Sequence, residues 1–426
     1  MSTTGFTKNT LWTHDNIDIL HGLNSELVDL IYLDPPFNSK RLYSAPIGSK
    51  AAGAAFKDTW TWSDVNEAFL ERLVTDYPSI VKLVETTQTV DKGMAAYLTY
   101  MAQRVIELHR VLKKTGTIYL HCDPTASHYL KILLDTIFGK KNFINEIVWC
   151  YSHGGKSAKR FGKKHDIILV YSKTDSYTFN ADAVKIPMES GATSFGGRLE
   201  TDENGRKYRL VYGTKNSKGE TKYYKYYLDE GKIPEDWWTD INSIQASAAE
   251  RTGYPTQKPV ALLQRIIKAG SNIDDIVLDP FCGCATACVA AQQLQRHWIG
   301  IDIEEKASDT LIERLGTDAG LFSDFVHRVD VPQRTDIKIE IITQSTKQKL
   351  YLSQKGKCSG CGKDFDLLNL EVDHIIPKAK GGGDYYENYQ LLCGSCNRIK
   401  GARPMEYLRQ KIKAREEAQE KITFGN

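Results

Sequence analysis

The sequence predicts an α/β fold on a doubly wound parallel sheet, followed by a small metal-stapled module. Three observations carry this expectation. Two short apolar runs each stop at an Asp-Pro step, helical and strand-like periods alternate around them, and two Cys-x2-Cys pairs lie near the C-terminus.

Residues 28–33 form an apolar run that stops at Asp34-Pro35-Pro36-Phe37. Consecutive prolines cannot donate to a ladder, so a buried strand ends at Asp34. Helical spacing covers 97–112, Gly116 is expected to break it, and 117–121 reads as the next strand. A further strand candidate covers 167–171. Residues 276–278 end at Asp279-Pro280-Phe281-Cys282-Gly283, a helix is expected over 287–295, and 298–301 is a strand ending at Asp302. That is a βαβ unit. After Asp302 the regular alternation fades.

The domain plan follows. Residues 1–150 and 251–330 form the catalytic and cofactor-binding domain, and 151–250 hold the end of the sheet and an insert rich in Lys, Arg, Tyr and Gly. A linker covers 331–345, and a metal module with a charged helical tail covers 346–426.

A chain of 426 residues with 41% hydrophobic and 26% charged residues has ordinary soluble composition and room for two or three domains. Its net charge of +3 is too small to diagnose nucleic-acid binding, which must rest on local patches. The absence of a signal-like or membrane-length apolar run places the protein in the cytoplasm as an expectation. Of nine cysteines, Cys358, Cys361, Cys393 and Cys396 read as metal ligands, and Cys122, Cys150, Cys282, Cys284 and Cys288 are expected to be buried thiols.

A strand end followed by a small-residue turn and a helix start, with Asp302 about 20 residues farther on, is nucleotide-cofactor geometry. The glycine pattern of a dinucleotide site is missing, which argues against a pyrophosphate. Asp34 ends another strand, so both motifs are expected to face one crevice at the sheet's edge. The lone pair of a base amino group is delocalised into its ring. A carboxylate such as Asp34 and a fixed carbonyl such as that of Pro35 would localise it by accepting the two hydrogens. Pro35 and Pro36 stiffen the loop, and Phe37 offers a stacking face for a base swung out of a duplex.

Asp34-Pro35-Pro36-Phe37, Tyr254-Pro255-Thr256-Gln257-Lys258-Pro259 and Asp279-Pro280-Phe281-Cys282-Gly283 resemble the three main motifs of amino-group DNA methyltransferases. With the catalytic motif preceding the cofactor motif, the chain resembles the beta class of adenine-N6 and cytosine-N4 enzymes. The resemblance implies a Rossmann-like fold that uses S-adenosyl-L-methionine and a direct displacement without a covalent enzyme intermediate. It implies that Thr256, Gln257 and Lys258 sit at a helix start and hold the methionine end, which suits the preference of helix N-termini for carboxylates. It places Asp279, Phe281, Gly283, Ala285 and Asp302 around the cofactor. Ala285 stands where a second glycine is common, so positive φ is not expected to come readily there. An aspartate rather than a serine opening the tetrapeptide favours adenine over cytosine.

In the insert, Lys156, Lys159, Arg160, Lys163 and Lys164 form a cluster without an acid, and Lys207-Tyr208-Arg209 and residues 222–227 interleave cations with aromatics. Such surfaces suit phosphates and bases, although charge runs are often only solvated faces. The insert is therefore the candidate for target recognition. Trp237-Trp238-Thr239-Asp240 is equally consistent with packing on the catalytic domain.

Cys358-x2-Cys361 and Cys393-x2-Cys396 have the content of a closed structural Zn2+ site. Between and beside them lie Asp373-His374, Asn388 and Asn397, an arrangement that resembles an HNH endonuclease with a ββα metal fold. By that resemblance Asp373 and Asn397 bind one Mg2+ or Mn2+, His374 deprotonates water and Asn388 orients the loop. Lys378, Lys380, Arg398, Lys400 and Arg403 add charge suited to a phosphate backbone. The partner expected is double-stranded DNA, as in restriction and modification; a homodimer is allowed without being read from any residue. The alternatives are a cytosine-N4 enzyme, or a methyltransferase whose zinc module only grips DNA.

Overall fold

The computed structural model describes residues 8–423, apart from 39–40, 46–48, 50–54, 63–72, 75, 153–157, 189–197, 216–218, 246, 319–324 and 338–341. The strands are β1 Thr10–Thr13, β2 Val28–Leu33, β3 Arg41–Ser44, β4 Ala55–Asp58, β5 Leu112–Cys122, β6 Phe143–Cys150, β7 His165–Ser172 and β8 Arg198–Thr201. They continue with β9 Lys207–Lys215, β10 Thr221–Tyr227, β11 Trp237–Trp238, β12 Ile276–Asp279, β13 His297–Asp302, β14 Val326–Arg328, β15 Leu370–His374 and β16 Tyr389–Cys393. The helices are α1 Asn16–Gly22, α2 Pro78–Val90, α3 Lys92–Val111, α4 Ser127–Leu134, α5 Val260–Gly270, α6 Thr286–Gln293, α7 Glu305–Asp318, α8 Gln344–Ser353, α9 Gly394–Lys400 and α10 Met405–Thr423.

Nine strands form one sheet in the order β11-β6-β7-β5-β2-β12-β13-β1-β14. Helices α1 to α4 cover one face and α5 to α7 the other, each over its own apolar cluster. The pattern of β2, β12 and β13 explains why they lie in the middle. They are nearly continuous apolar runs, and a strand covered on both faces has no polar side to show. β2 pairs with β12 and β12 with β13, all parallel, so Asp34, Asp279 and Asp302 emerge side by side at one edge.

The sheet departs from the all-parallel expectation at one strand. β7 runs antiparallel to both β5 and β6, returning from β6 through the connection 151–164, whose described residues hold no crossover helix. Gly116 does not break α3, which already stops at Val111; the chain passes directly into β5 and Gly116 lies inside that strand. A Cβ there would stand 2.8 Å from the Asp29 carbonyl oxygen and 2.5 Å from Leu112 Cδ1. The alternation also does not end at Asp302, since α7 and β14 add one more unit to the sheet. Of the five cysteines expected to be buried thiols, Cys150 is only half-buried.

The insert carries a separate three-stranded antiparallel sheet, β10-β9-β8. Its chain then rejoins the main sheet through β11 beside β6, with Trp238 buried in the core and Trp237 exposed, so only the second tryptophan packs on the catalytic domain. Lys156 lies outside the described residues.

In the C-terminal module β15 and β16 form an antiparallel pair followed by α9, with Met405 and Leu408 of α10 buried against them. The first turns of the charged tail are thus core. This module rests on α1: Lys380 Nζ donates to the buried Asp18 carboxylate at 2.7 Å. The connecting segment is pinned as well, with Thr335 N–H donating to Asn24 and Ser25 N–H to Asp336.

Candidate functional site

The strand tips open into a cavity of about 490 Å³ lined by Asp34, Pro35, Pro36, Phe37, Thr256, Gln257, Lys258, Asp279, Phe281, Gly283 and Asp302. Ala285 is not on this wall. It is fully buried behind the turn and, against expectation, takes φ 55°, with α6 starting at the next residue. Packing on all sides holds the backbone there despite a cost of about 1–2 kcal/mol for a residue with a Cβ.

Gly283 has φ 50°, and its N–H donates to Asp302 Oδ2 at 2.8 Å. A Cβ would meet the Tyr254 ring at 2.9 Å, so only glycine keeps this approach to the cavity. Asp302 Oδ1 accepts from Glu304 N–H at 2.9 Å. Burial pushes the Asp302 carboxyl up to about 6, against those two hydrogen bonds that favour its charged form. Burial also raises Asp279 well above the carboxylate range, with the charges of Asp34 and Asp302 adding to the shift, while its Oδ1 accepts from Phe281 N–H at 3.1 Å.

Lys258, only 8% exposed, points across the cavity. Its Nζ donates to Asp34 Oδ2 at 2.5 Å and lies 5.4 Å from the centre of the Phe37 ring. Asp34 Oδ1 is buried and has no hydrogen-bond partner among the described residues. The Asp34 carboxylate therefore has one oxygen paired with an ammonium group and the other open and buried at the strand tip. A buried acceptor without a donor is costly, and a ligand N–H would relieve it.

The segment 256–258 lies in a turn before α5 rather than at its start, with Thr256 at φ 62°. The N-terminus of α5 already has its carboxylate: Glu250 Oε2 accepts from Val260 N–H at 2.9 Å. Gln257 fastens the turn, its Oε1 accepting from Thr252 N–H at 2.8 Å and its Nε2 donating to the Glu250 carbonyl at 2.7 Å.

Several residues here were invisible to motif reading. Asn16 Nδ2 donates to the Pro280 carbonyl at 2.7 Å, and Arg104 holds Asn16 Oδ1 at 2.7 Å and Asp15 Oδ1 at 3.0 Å. Beneath Phe37 lies His121, its ring stacked at 6.2 Å and 18°. His121 is hydrogen-bonded to Tyr32 at 3.0 Å and to Asp166 at 3.1 Å, and Asp166 accepts from Tyr151 at 3.1 Å. Burial raises the Asp166 carboxyl, but the hydrogen bond and charge of His121 prevail and bring it down. Only their meeting in space marks these residues for the site, since the runs that hold Tyr32, Arg104 and His121 signal strands and a helix and nothing of their polar contacts.

In the insert, Tyr212, Tyr223, Tyr224 and Tyr226 are exposed. Lys225 Nζ sits 4.7 Å from the Tyr208 ring centre, and Arg206 lies 4.0 Å from that of Tyr227.

In the module the sulfur atoms of Cys358, Cys361, Cys393 and Cys396 lie within 4.8 Å of one another. Four thiolates at that spacing fit one tetrahedral Zn2+. Cys358 Sγ also accepts from Cys393 N–H at 3.2 Å. Asn388 is buried and ties the loop after β15, its Oδ1 accepting from Ile376 N–H at 2.8 Å and its Nδ2 donating to the Gly383 carbonyl at 3.0 Å. His374 Nε2 meets Asp384 Oδ1 at 2.8 Å, a partner the sequence did not single out.

Asp373 and Asn397 do not meet each other in any hydrogen bond. Asp373 pairs with Lys400 at 3.0 Å and accepts from Gln390 at 2.9 Å, whereas Asn397 donates to Glu371 at 2.5 Å. Of the five cations assigned to phosphate, Lys400 is not available at the surface, and two others pair within the molecule. Lys400 is buried at 1% exposure under Asp373, Lys378 pairs with Asp384, and Lys380 with Asp18. Each of these ammonium groups is drawn to a carboxylate within its own molecule. Among the described residues no helix is long and apolar enough to cross a membrane.

Adjacent acidic strand tips, a glycine turn and an open acceptor line one cavity at the edge of an α/β sheet, an arrangement suited to a nucleotide-like cofactor beside a ligand that donates hydrogen bonds. Residues 28–313 match the N6/N4 DNA methylase family, and 358–403 match the HNH endonuclease family. The chain belongs to the N6/N4 DNA methylase family and is a DNA methyltransferase with a C-terminal HNH domain. It is 28% identical over 390 residues to the type II methyltransferase M.EcaI of Enterobacter cloacae, spanning 78% of this chain and 82% of that protein. It is 29% identical over 303 residues to the DNA adenine methyltransferase YhdJ of Escherichia coli (strain K12), spanning 71% and 80%. Among solved structures, the PvuII DNA methyltransferase (cytosine-N4-specific) aligns with a TM-score of 0.45 and 14% identity, covering 73% of this chain and 88% of that one.

Proposed function

We propose that the chain methylates the N6 amino group of adenine in double-stranded DNA, and that its HNH module cleaves DNA with Mg2+ or Mn2+. The single observation carrying the first part is the buried, unpartnered Asp34 Oδ1 in the same cavity as Gly283 and Asp302.

S-adenosyl-L-methionine supplies an electrophilic methyl group on a sulfonium. Asp302 accepts hydrogen bonds from the ribose hydroxyls, the turn at Gly283 gives a close backbone wall, and Thr256, Gln257 and Lys258 border the methionine end. Asp34 Oδ1 and the Pro35 carbonyl accept the two amino hydrogens of the base. Those bonds strengthen as the nitrogen becomes cationic, which favours the transition state over the ground state. Lys258 fixes the other carboxylate oxygen, and Phe37 on its His121 support stacks the base. The choice of adenine rests on aspartate at position 34, and the YhdJ relative is named as an adenine enzyme. The exposed tyrosines and cations of β9 and β10 suit recognition of the target sequence.

For the module, His374 held by Asp384 acts as general base. Asp373, Glu371 and Asn397 are hard oxygen donors of the kind Mg2+ and Mn2+ prefer, with Lys400 as the resident counter-charge of Asp373. Mass analysis of nucleosides from DNA incubated with protein and S-adenosyl-L-methionine tests the first part: N6-methyladenine is expected, and N4-methylcytosine would reassign the base. Nicking of unmodified DNA in Mg2+ or Mn2+, lost in His374→Ala, tests the second; a module that leaves DNA intact under both ions only grips it.

A further inference from the structure

Phe161 is 98% exposed, the highest value of any large apolar side chain among the described residues. Single exposed hydrophobes are common on protein surfaces. What distinguishes Phe161 is its position and its neighbours. It lies in the connection from β6 to β7, between exposed Lys159 and Arg160 on one side and exposed Lys163 on the other. These cations were grouped with the recognition insert, yet their connection springs from the catalytic edge of the main sheet.

The root of this connection is fixed. Tyr151 N–H donates to the Lys164 carbonyl at 3.0 Å, and Lys164 Nζ donates to the Ser152 carbonyl at 2.7 Å. Two residues past Lys164, Asp166 is hydrogen-bonded to His121, whose ring supports Phe37. Five residue steps lead from Phe161 to Asp166, so its Cα stays within roughly 18 Å of the Asp166 Cα, beside the His121 support of the target-base platform, even in a fully extended chain. A base drawn into that platform leaves a gap in the duplex, with its former partner unpaired and its neighbours unstacked. An apolar ring entering the gap restores stacking, and cations on either side meet the flanking phosphates.

We propose that Phe161 enters the duplex and fills the place vacated by the target base, while Lys159, Arg160 and Lys163 hold the backbone around it. This inference rests on the reading of Asp34 to Phe37 as the site of base methylation.

The test begins by mapping the base that the wild-type protein methylates. Methylation is then followed on duplexes bearing 2-aminopurine beside that base, with either a normal or an abasic residue opposite it. Phe161→Ala should lose roughly 10-fold or more in kcat/KM on the normal duplex together with the fluorescence rise that reports unstacking. Its affinity for S-adenosylhomocysteine should not change, Phe161→Leu and Phe161→Trp should recover activity, and the abasic-opposite duplex should restore Phe161→Ala, because its target base leaves the stack more easily. Wild-type rates from Phe161→Ala would overturn the proposal. So would a loss equal on both duplexes and unrescued by leucine or tryptophan, which would make the segment a phosphate grip. A wild-type protein that methylates no base sinks the underlying reading and the proposal with it.

Discussion

In the proposed function, Asp302 makes cofactor binding depend on pH. Its carboxyl is raised by burial to about 6, and as an anion it is the better hydrogen-bond acceptor for ribose hydroxyls. Cofactor affinity is therefore expected to fall as pH drops through 6, and Asp302→Asn should bind weakly with that pH dependence removed; calorimetric titration between pH 5 and 8 measures both. The stability effect has the opposite sense. A folded-state value above the unfolded one contributes stability at low pH, which is lost as pH rises through about 6. The proposed ligand binding and folding thus pull in opposite directions at this residue. Lys258 teaches a related lesson. Its place in a motif pointed to the cofactor's methionine end, but only the fold brings it to Asp34 across 224 positions of sequence.

At the scale of elements, apolar runs that stop at Asp-Pro were legible because two-sided burial and the missing proline donor both act locally. The rest was hidden where distant packing decides. Gly116 looks like a helix breaker, yet its role is the close approach of β5 to β2, which no local rule encodes. Gly116→Ala is expected to destabilise the domain by about 1–3 kcal/mol through overpacking, read from chemical denaturation. Ala285 takes positive φ because the chain must turn there into α6. The reversed β7 and the added α7 and β14 were missed for a similar reason, since strand direction and edge pairing depend on partners far away in sequence. In the module, the cysteine spacing was fully legible and Asp384 was not, because it reaches His374 only through the fold of the loop. Removing Zn2+ with a chelator should unfold the module while the main sheet persists. Circular dichroism with calorimetry would then show one transition lost and one retained.

Across the whole molecule, α1 serves both ends. Its first residue, Asn16, holds the Pro280 carbonyl at the cofactor turn, and two residues on, Asp18 receives Lys380 from the C-terminal module. The two domains thus share one short helix, with the connecting segment pinned by Asn24 and Ser25. Lys380→Ala leaves Asp18 buried without that partner, so the module should dock less firmly; limited proteolysis between 331 and 345 is expected to quicken without loss of Zn2+. The large-scale arrangement matters most where it sets two strand tips side by side, because methyl transfer demands donor and acceptor in line within one cavity. The most direct measurement is methyl transfer to DNA by Asp34→Ala beside calorimetric titration of its cofactor. Abolished transfer with cofactor affinity retained is the predicted result, and turnover equal to wild type would contradict the assignment of this carboxylate to the reacting amino group.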